Sequence, residues 1–357
     1  MSTHLTSFSR RLNPRTESTK PFFNIFLQRI REMADQNMLY LLRKLGRDKI
    51  FRCKLTLESR YKEVAEKIFH YLNNDERAIF LEQSPFGNMV RYHKDFNISS
   101  QIMWYLMSNQ IVDTGSDEFW MVVRKRPVRF SLLEYCLITG LDCATEPVDV
   151  PEGGVFGSKH FAGKSEIVLS DLEAKMNLQV QNEIGVDVEK LKMSSLYFCC
   201  FVFGEGTRKK TNKIDPKYLR LIDDLDRFNS YPWGRAAFLD AVRCLKKDLL
   251  RRYNYLTKTH GRKEVDGSFL VGGFVLPLQR LAQKFARRRD VDGLMLPRMF
   301  QWVTNTWASN RAPNAVDVTA AFGDCAIDDC LGCLTPTPEE LVSAYYTISV
   351  LYDLGFC

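Results

Sequence analysis

Apolar residues recur at three- and four-residue spacing along much of this chain, a period that predicts helices rather than strands. The first such stripe spans about Asn24 to Leu45, with Phe26, Ile30, Met33, Leu41 and Leu45 on one side and Gly46 as a stop. A second runs from about Leu57 to Leu72, where Leu57, Tyr61, Val64, Ala65, Ile68 and Leu72 form one buried face. Ser84-Pro85-Phe86-Gly87 reads as a turn. Ser99 or Ser100 then caps a short helix carrying Ile102, Met103, Leu106 and Ile111.

The period changes at Phe119. Phe119-Trp120-Met121-Val122-Val123 is β-prone, Arg124 to Arg126 is a basic turn, and Pro127-Val128-Arg129-Phe130 is the return strand of a hairpin. Ser131 with Glu134 three residues on predicts a capping box, opening a helix that ends at Gly140. Residues 145–165, with two Pro and four Gly, look like a loop or hinge. Beyond it, Val188 to Phe203 is apolar nearly all round and predicts a central buried helix. Asp215-Pro216 starts another, carrying Leu219, Ile222 and Leu225. Further helices are expected over Arg235–Leu250, over Pro277–Phe285, and from Thr337-Pro338-Glu339-Glu340 to about Gly355. The pattern predicts a mainly α (α+β) fold, a multi-helix globular body with a small β-hairpin around residues 119–130. Its parts are a basic tail over 1–21, an N-terminal helical part over 22–144, the 145–165 loop, a second helical part over 166–310 and an acidic C-terminal segment over 311–357.

Composition narrows the class without naming an activity. Hydrophobic residues make up 45% and aromatics 12% of the 357 residues, so a sizeable core is affordable and a disordered or collagen-like chain is excluded. Ten Cys are too few for a disulfide scaffold, and without a secretory signal they are expected to be reduced thiols. The longest apolar run, Leu196 to Phe203, falls well short of the roughly 20 residues a membrane helix needs, so no membrane partner is expected. The N-terminal stretch, with Arg10, Arg11 and Arg15 against Glu17, fits a disordered tail better than an organelle transit peptide. Charge is uneven: residues 205–290 carry 21 Lys/Arg against 10 Asp/Glu, whereas residues 131–190 carry 4 against 11.

No constellation specifies a reaction. Cys325, Cys330, Cys333 and Cys357 have the spacing of a plant-type ferredoxin cluster, but the strand-rich context is missing and Asp324, Asp328 and Asp329 crowd the thiolates. Gly204-Glu205-Gly206 with Arg208-Lys209-Lys210 lacks phosphate-loop spacing. His4, His70, His93, His160 and His260 form no metal-binding pattern, and Asp223-Asp224 read as ordinary exposed helix acids. No cofactor or catalytic residue is therefore expected. The candidate binding residues are the basic clusters Arg208, Lys209, Lys210, Lys246, Lys247, Arg251, Arg252, Arg287, Arg288 and Arg289, with Tyr253 and Tyr255 interleaved. They pair phosphate-neutralising charge with rings that stack on bases.

Several segments taken together resemble a known family. They are Phe119-Trp120, Pro127-Val128-Arg129-Phe130-Ser131, Ile138-Thr139-Gly140-Leu141, Ser84-Pro85-Phe86-Gly87, Leu221-Ile222-Asp223-Asp224-Leu225 and Phe228-Asn229-Ser230-Tyr231-Pro232-Trp233-Gly234-Arg235. Gly273-Phe274, Pro277-Leu278-Gln279 and Pro297-Arg298-Met299 extend the likeness, which covers roughly residues 50–310. The family is a plant domain of unknown function found in Mutator-type transposon-derived proteins, often upstream of a SUMO/ubiquitin-like-protease domain. The resemblance implies no activity; Trp120, Phe130 and Trp233 read as apolar anchors, and Ser131 and Gly140 as helix boundaries. Gly323-Asp324-Cys325 is followed by Ala326, with no nearby upstream Gln, so the peptidase part is expected to be absent. The resulting expectation is a nuclear or nucleocytoplasmic, non-catalytic interaction or targeting module with an unidentified protein partner. The alternatives are nucleic-acid binding by the basic 205–290 region and a peptidase remnant.

Overall fold

The first element observed is a strand, β1 (Arg52–Leu57), in which Lys54 is exposed and Leu55 buried. The structure is a computed structural model that describes residues 52–93, 98–111, 117–124, 126–147, 152–178, 185–204, 212–260, 266–286, 297–301, 314–322 and 334–347. The expected tail and the helix over 24–45 lie outside these residues. Leu57 closes β1 instead of opening a helix, so the second expected helix is shorter than its apolar stripe. Helix α1 runs Tyr61–Tyr71 and buries Tyr61, Val64, Ala65, Ile68 and Tyr71. The strand was missed because its partner, β4 (Asp266–Val271), is a parallel neighbour from far along the chain, paired Arg52↔Asp266 through Leu57↔Val271.

Helices α2 (Asn74–Gln83), α3 (Gly87–Arg91) and α4 (Ser100–Ser108) follow, and the Ser99 hydroxyl accepts from Ile102 N at 3.4 Å as a cap should. The hairpin is present as expected: β2 (Phe119–Val123) pairs antiparallel with β3 (Arg126–Phe130), with Arg124 at φ 51° in the turn. All five β2 residues are buried, because α4 and the helix over Leu276–Ala286 pack on the strand, while residues 109–111 bond along its other edge (Ile111 N to Trp120 O, 2.9 Å). Ser131 and Glu134 then form the capping box of α5 (Leu132–Thr139), which is buried from Leu133 to Thr139. Gly140 ends α5 at φ 68°, and a Cβ there would lie 2.1 Å from Pro297 Cγ, so both conformation and space call for glycine.

Beyond α5, the 145–165 stretch contains a short helix, α6 (Phe156–His160), after which α7 spans Leu169–Leu178. Asp223 accepts hydrogen bonds from Val155 N and Phe156 N at 2.9 and 2.7 Å, which anchors the start of α6. Asp223 is thus a clamp between segments rather than an ordinary helix acid. The central apolar run is α8 (Val188–Phe198) continued by a π-helical turn, Cys199–Phe203, with all five residues of that turn buried. The next expected helix breaks in two, α9 (Pro216–Leu221) and α10 (Leu225–Asn229), because the Asp224 side chain accepts from Asp226 N and Arg227 N and starts a new helix. Likewise Arg235–Leu250 is not continuous. Helix α11 (Trp233–Leu245) stops at Lys246, and Asp248 accepts from Arg251 N at 2.9 Å to open α12 (Leu249–His260).

The remaining described helices are α13 (Leu276–Ala286), α14 (Arg298–Gln301), α15 (Ala315–Phe322), α16 (Pro338–Leu341) and α17 (Ala344–Thr347). Thr337 and Glu340 form the expected capping box, but α16 is a single turn. Arg298 fixes it by a two-pronged bond to Glu340 and a third bond to Thr335 O. One continuous apolar cluster reaches from Leu55 to Tyr346, with α5 at its middle against α11, α13, α14 and α17. The architecture is mainly α-helical with a small hairpin, as the hydrophobic pattern predicted, plus the unforeseen parallel pair β1–β4.

Candidate nucleic-acid interface

Helix α12 is amphipathic, and its two faces have different fates. Leu249 and Leu256 are buried, and Leu256 gathers Trp104, Leu250, Tyr253 and Phe269 into a small satellite cluster beside β4. The opposite face exposes Arg251, Asn254, Tyr255, Lys258 and Thr259. Arg251, Tyr255 and Lys258 fall at spacings of four and three residues, so they share one side of the helix.

The candidate cations meet different neighbours. Lys247, half-buried, donates from Nζ to Leu270 O of β4, and so ties the α11–α12 corner to the strand. Arg252 places its guanidinium 5.5 Å from the Tyr255 ring centroid and 5.9 Å from that of Phe269. Lys246 is the half-buried cap of α11, and Arg251 is exposed. Arg208, Lys209, Lys210, Arg287, Arg288 and Arg289 lie outside the described residues. Among the described residues, Lys247, Arg251, Arg252 and Lys258 pair with no carboxylate. Elsewhere pairing is common: Arg60 meets Glu63 and Glu173, Lys213 meets Glu166, Lys217 meets Glu146, and Arg298 meets Glu340. Carbonyls and rings hold a cation without cancelling its charge, so α12 keeps a positive field directed at solvent.

The conspicuous polar residues of the hairpin are used inwardly. Glu134 is fully buried; one oxygen accepts from Arg129 Nη2 at 3.1 Å and the other from Ser131 N at 2.8 Å and Ser131 Oγ at 2.5 Å. Trp120 Nε1 donates to Glu118 at 2.7 Å. Burial raises the Glu118 carboxyl above its ordinary range, partly offset by that Trp120 bond and by the Arg129 charge. Arg129 gives no sequence signal for this role, since nothing in a strand pattern distinguishes a buried ion partner from a solvated one.

The described thiols are equally withdrawn. Cys136, Cys143, Cys199, Cys200 and Cys244 are buried and in no disulfide. Burial pushes the Cys143, Cys199 and Cys200 thiols well above the usual range, which suppresses the nucleophilic thiolate. Native protein treated with iodoacetamide at about pH 8, near the ordinary thiol pKa, is expected to leave these five cysteines unmodified. Denaturation in urea should expose them all, and peptide mass mapping reads both states. Rapid labelling of Cys199 or Cys200 in native protein would contradict the burial. Among the described residues, no group of three or more His, Cys, Asp or Glu side chains is placed to hold a metal ion. Cys325, Cys330, Cys333 and Cys357 lie outside them. No described helix is long and apolar enough to cross a membrane.

The hairpin, the Ser131–Glu134 box, the Asp223 clamp and Trp233 thus hold together the middle of a helical domain. Residues 107–243, from the last turn of α4 to near the end of α11, match the family model described as a domain of unknown function, DUF1985. No curated protein and no solved structure matches the chain. The match holds Glu134, Asp223 and Trp233 and stops before α12.

Proposed function

We propose that this protein is a non-catalytic binding module and that the exposed face of α12 takes nucleic acid. The observation that carries the reading is the set of cations on and beside this helix, Lys247, Arg251, Arg252 and Lys258, held by neutral groups or by none and not by carboxylates. Such a face attracts a polyanion and releases its counterions. The buried, pKa-raised thiols of Cys143, Cys199 and Cys200 support the non-catalytic part. The sequence resemblance to transposon-derived plant proteins supports a nuclear or nucleocytoplasmic setting, which belongs to the same proposal. A protein partner is the competing occupant for such a module.

The test is fluorescence anisotropy of labelled random-sequence DNA and RNA against the full chain, between about 50 and 200 mM salt. If the two cations that face water, Arg251 and Lys258, neutralise phosphates, log K should fall with log salt at a slope of about −1.4 on single strands. Absence of binding at the lowest salt would overturn the reading and leave the protein partner to be sought.

A further inference from the structure

Four planar groups neighbour one another in turn from the satellite cluster to solvent. Trp104 and Phe269 lie 6.0 Å apart at an interplanar angle of 32°, Phe269 is 5.9 Å from the Arg252 guanidinium, and Arg252 is 5.5 Å from Tyr255. The series begins half-buried at Trp104 and ends at Tyr255, which is 58% exposed. The Arg252 Nε is buried and makes no hydrogen bond, so the aromatic rings around it, not an anion, are the contacts that hold the guanidinium. Exposing a large ring costs a helix the burial that the same ring would gain inside. Here the ring is instead fixed at the end of a packed series, flanked by Arg251 four residues before it and Lys258 three after.

Resting on the nucleic-acid reading above, we propose that Tyr255 is a base-stacking platform and that the ligand is single-stranded nucleic acid, bound with little regard to sequence. A free base extends the ring series by one more plane, while Arg251 and Lys258 meet the phosphates on either side of it. Duplex bases already stack on one another and offer only their edges, so a ring on a helix surface gains nothing from them without flipping a base out. Every base has a π-face, so such a platform is tolerant of sequence. Phosphate contacts supply the salt dependence and stacking supplies the preference for a single strand.

The experiment measures binding of the full chain to a labelled oligothymidylate, an oligouridylate and a DNA duplex of equal length across a salt series. Single strands should bind more tightly than the duplex. Tyr255→Ala should weaken single-strand binding about 10-fold or more, since base–aromatic stacking contributes about 1–3 kcal/mol per base. It should leave the salt slope and duplex binding unchanged, and Tyr255→Phe should restore single-strand affinity. Arg251→Ala should weaken both ligands and flatten the slope by about 0.7 to 0.9. Equal binding of both forms, or an unaltered Tyr255→Ala protein, overturns the stacking platform while the electrostatic reading stands. Failure of every ligand to bind at low salt overturns the electrostatic reading itself. Tyr255 is exposed, so its variants should unfold at the wild-type urea midpoint, which separates lost contact from lost fold.

Discussion

Replacing Glu134 by Ala should destabilise the fold by about 3–5 kcal/mol, the cost of breaking a buried ion pair from one side. The Arg129 side chain is only 9% exposed and the Glu134 side chain is fully buried, so the guanidinium would lose its bonded carboxylate where little water reaches. The loss extends beyond charge. The same carboxylate accepts from Ser131 N, closing the capping box that starts α5, and α5 lies against α11, α13, α14 and α17. Urea unfolding should show a lower midpoint with an unchanged slope, the mark of altered stability in a fold of the same extent. Removing both charges together, as Arg129→Leu with Glu134→Leu, should cost less than Glu134→Ala alone, because no orphaned ion remains. Should the single variant unfold at the wild-type midpoint, Glu134 is not the keystone its contacts make it.

Trp233→Ala should cost about 3–5 kcal/mol by a different route, a cavity at the centre of an aromatic cluster. Its ring lies 4.6 Å from Phe228, 4.7 Å from Tyr231, 5.2 Å from Tyr218 and 6.0 Å from Phe86. Those rings come from α3's start, α9, α10 and the turn before α11, so no one neighbour can collapse into the space without moving its own segment. Trp233→Phe should retain most of the packing and lose chiefly the 2.7 Å bond from Nε1 to Phe228 O, a cost of about 1–3 kcal/mol for the stranded acceptor. The two variants therefore separate ring volume from hydrogen bonding. A loss of about the same size in both would assign the position to the bond and not to the cavity. Near-ultraviolet circular dichroism should report the change alongside urea unfolding, since the cluster is where these rings are held asymmetrically.

Both residues lie inside the matched segment, whereas the binding surface proposed here lies beyond it on α12. A scaffold and its working face need not share a sequence signature, because packing constrains buried positions far more tightly than exposed ones. Mutations in the segment should thus act through stability, and those at Arg251, Tyr255 and Lys258 through binding with the fold intact.

The local elements were legible because their causes are local. Ser131 and Glu134 read as a capping box and form one; Asp215-Pro216 and Thr337 with Glu340 start helices; the change of period at Phe119 marks the hairpin. The stripe Tyr61, Val64, Ala65 and Ile68 is buried as its spacing predicts. What failed was decided by partners distant in sequence or by side-chain bonds that periodicity does not record. Leu57 belongs to β1 only because β4 pairs with it, and the breaks at Asp224 and Asp248 arise because each carboxylate takes backbone amides and caps a new helix. For the candidate interface, sequence alone determined that basic and aromatic residues alternate near Arg251 to Tyr255. Only the tertiary structure separated their roles: it turned Lys247 to a strand carbonyl, laid Arg252 near the Phe269 and Tyr255 rings, and left Arg251, Tyr255 and Lys258 facing water. A charge's effect depends on what neutralises it, and that neighbour comes from wherever the chain folds back.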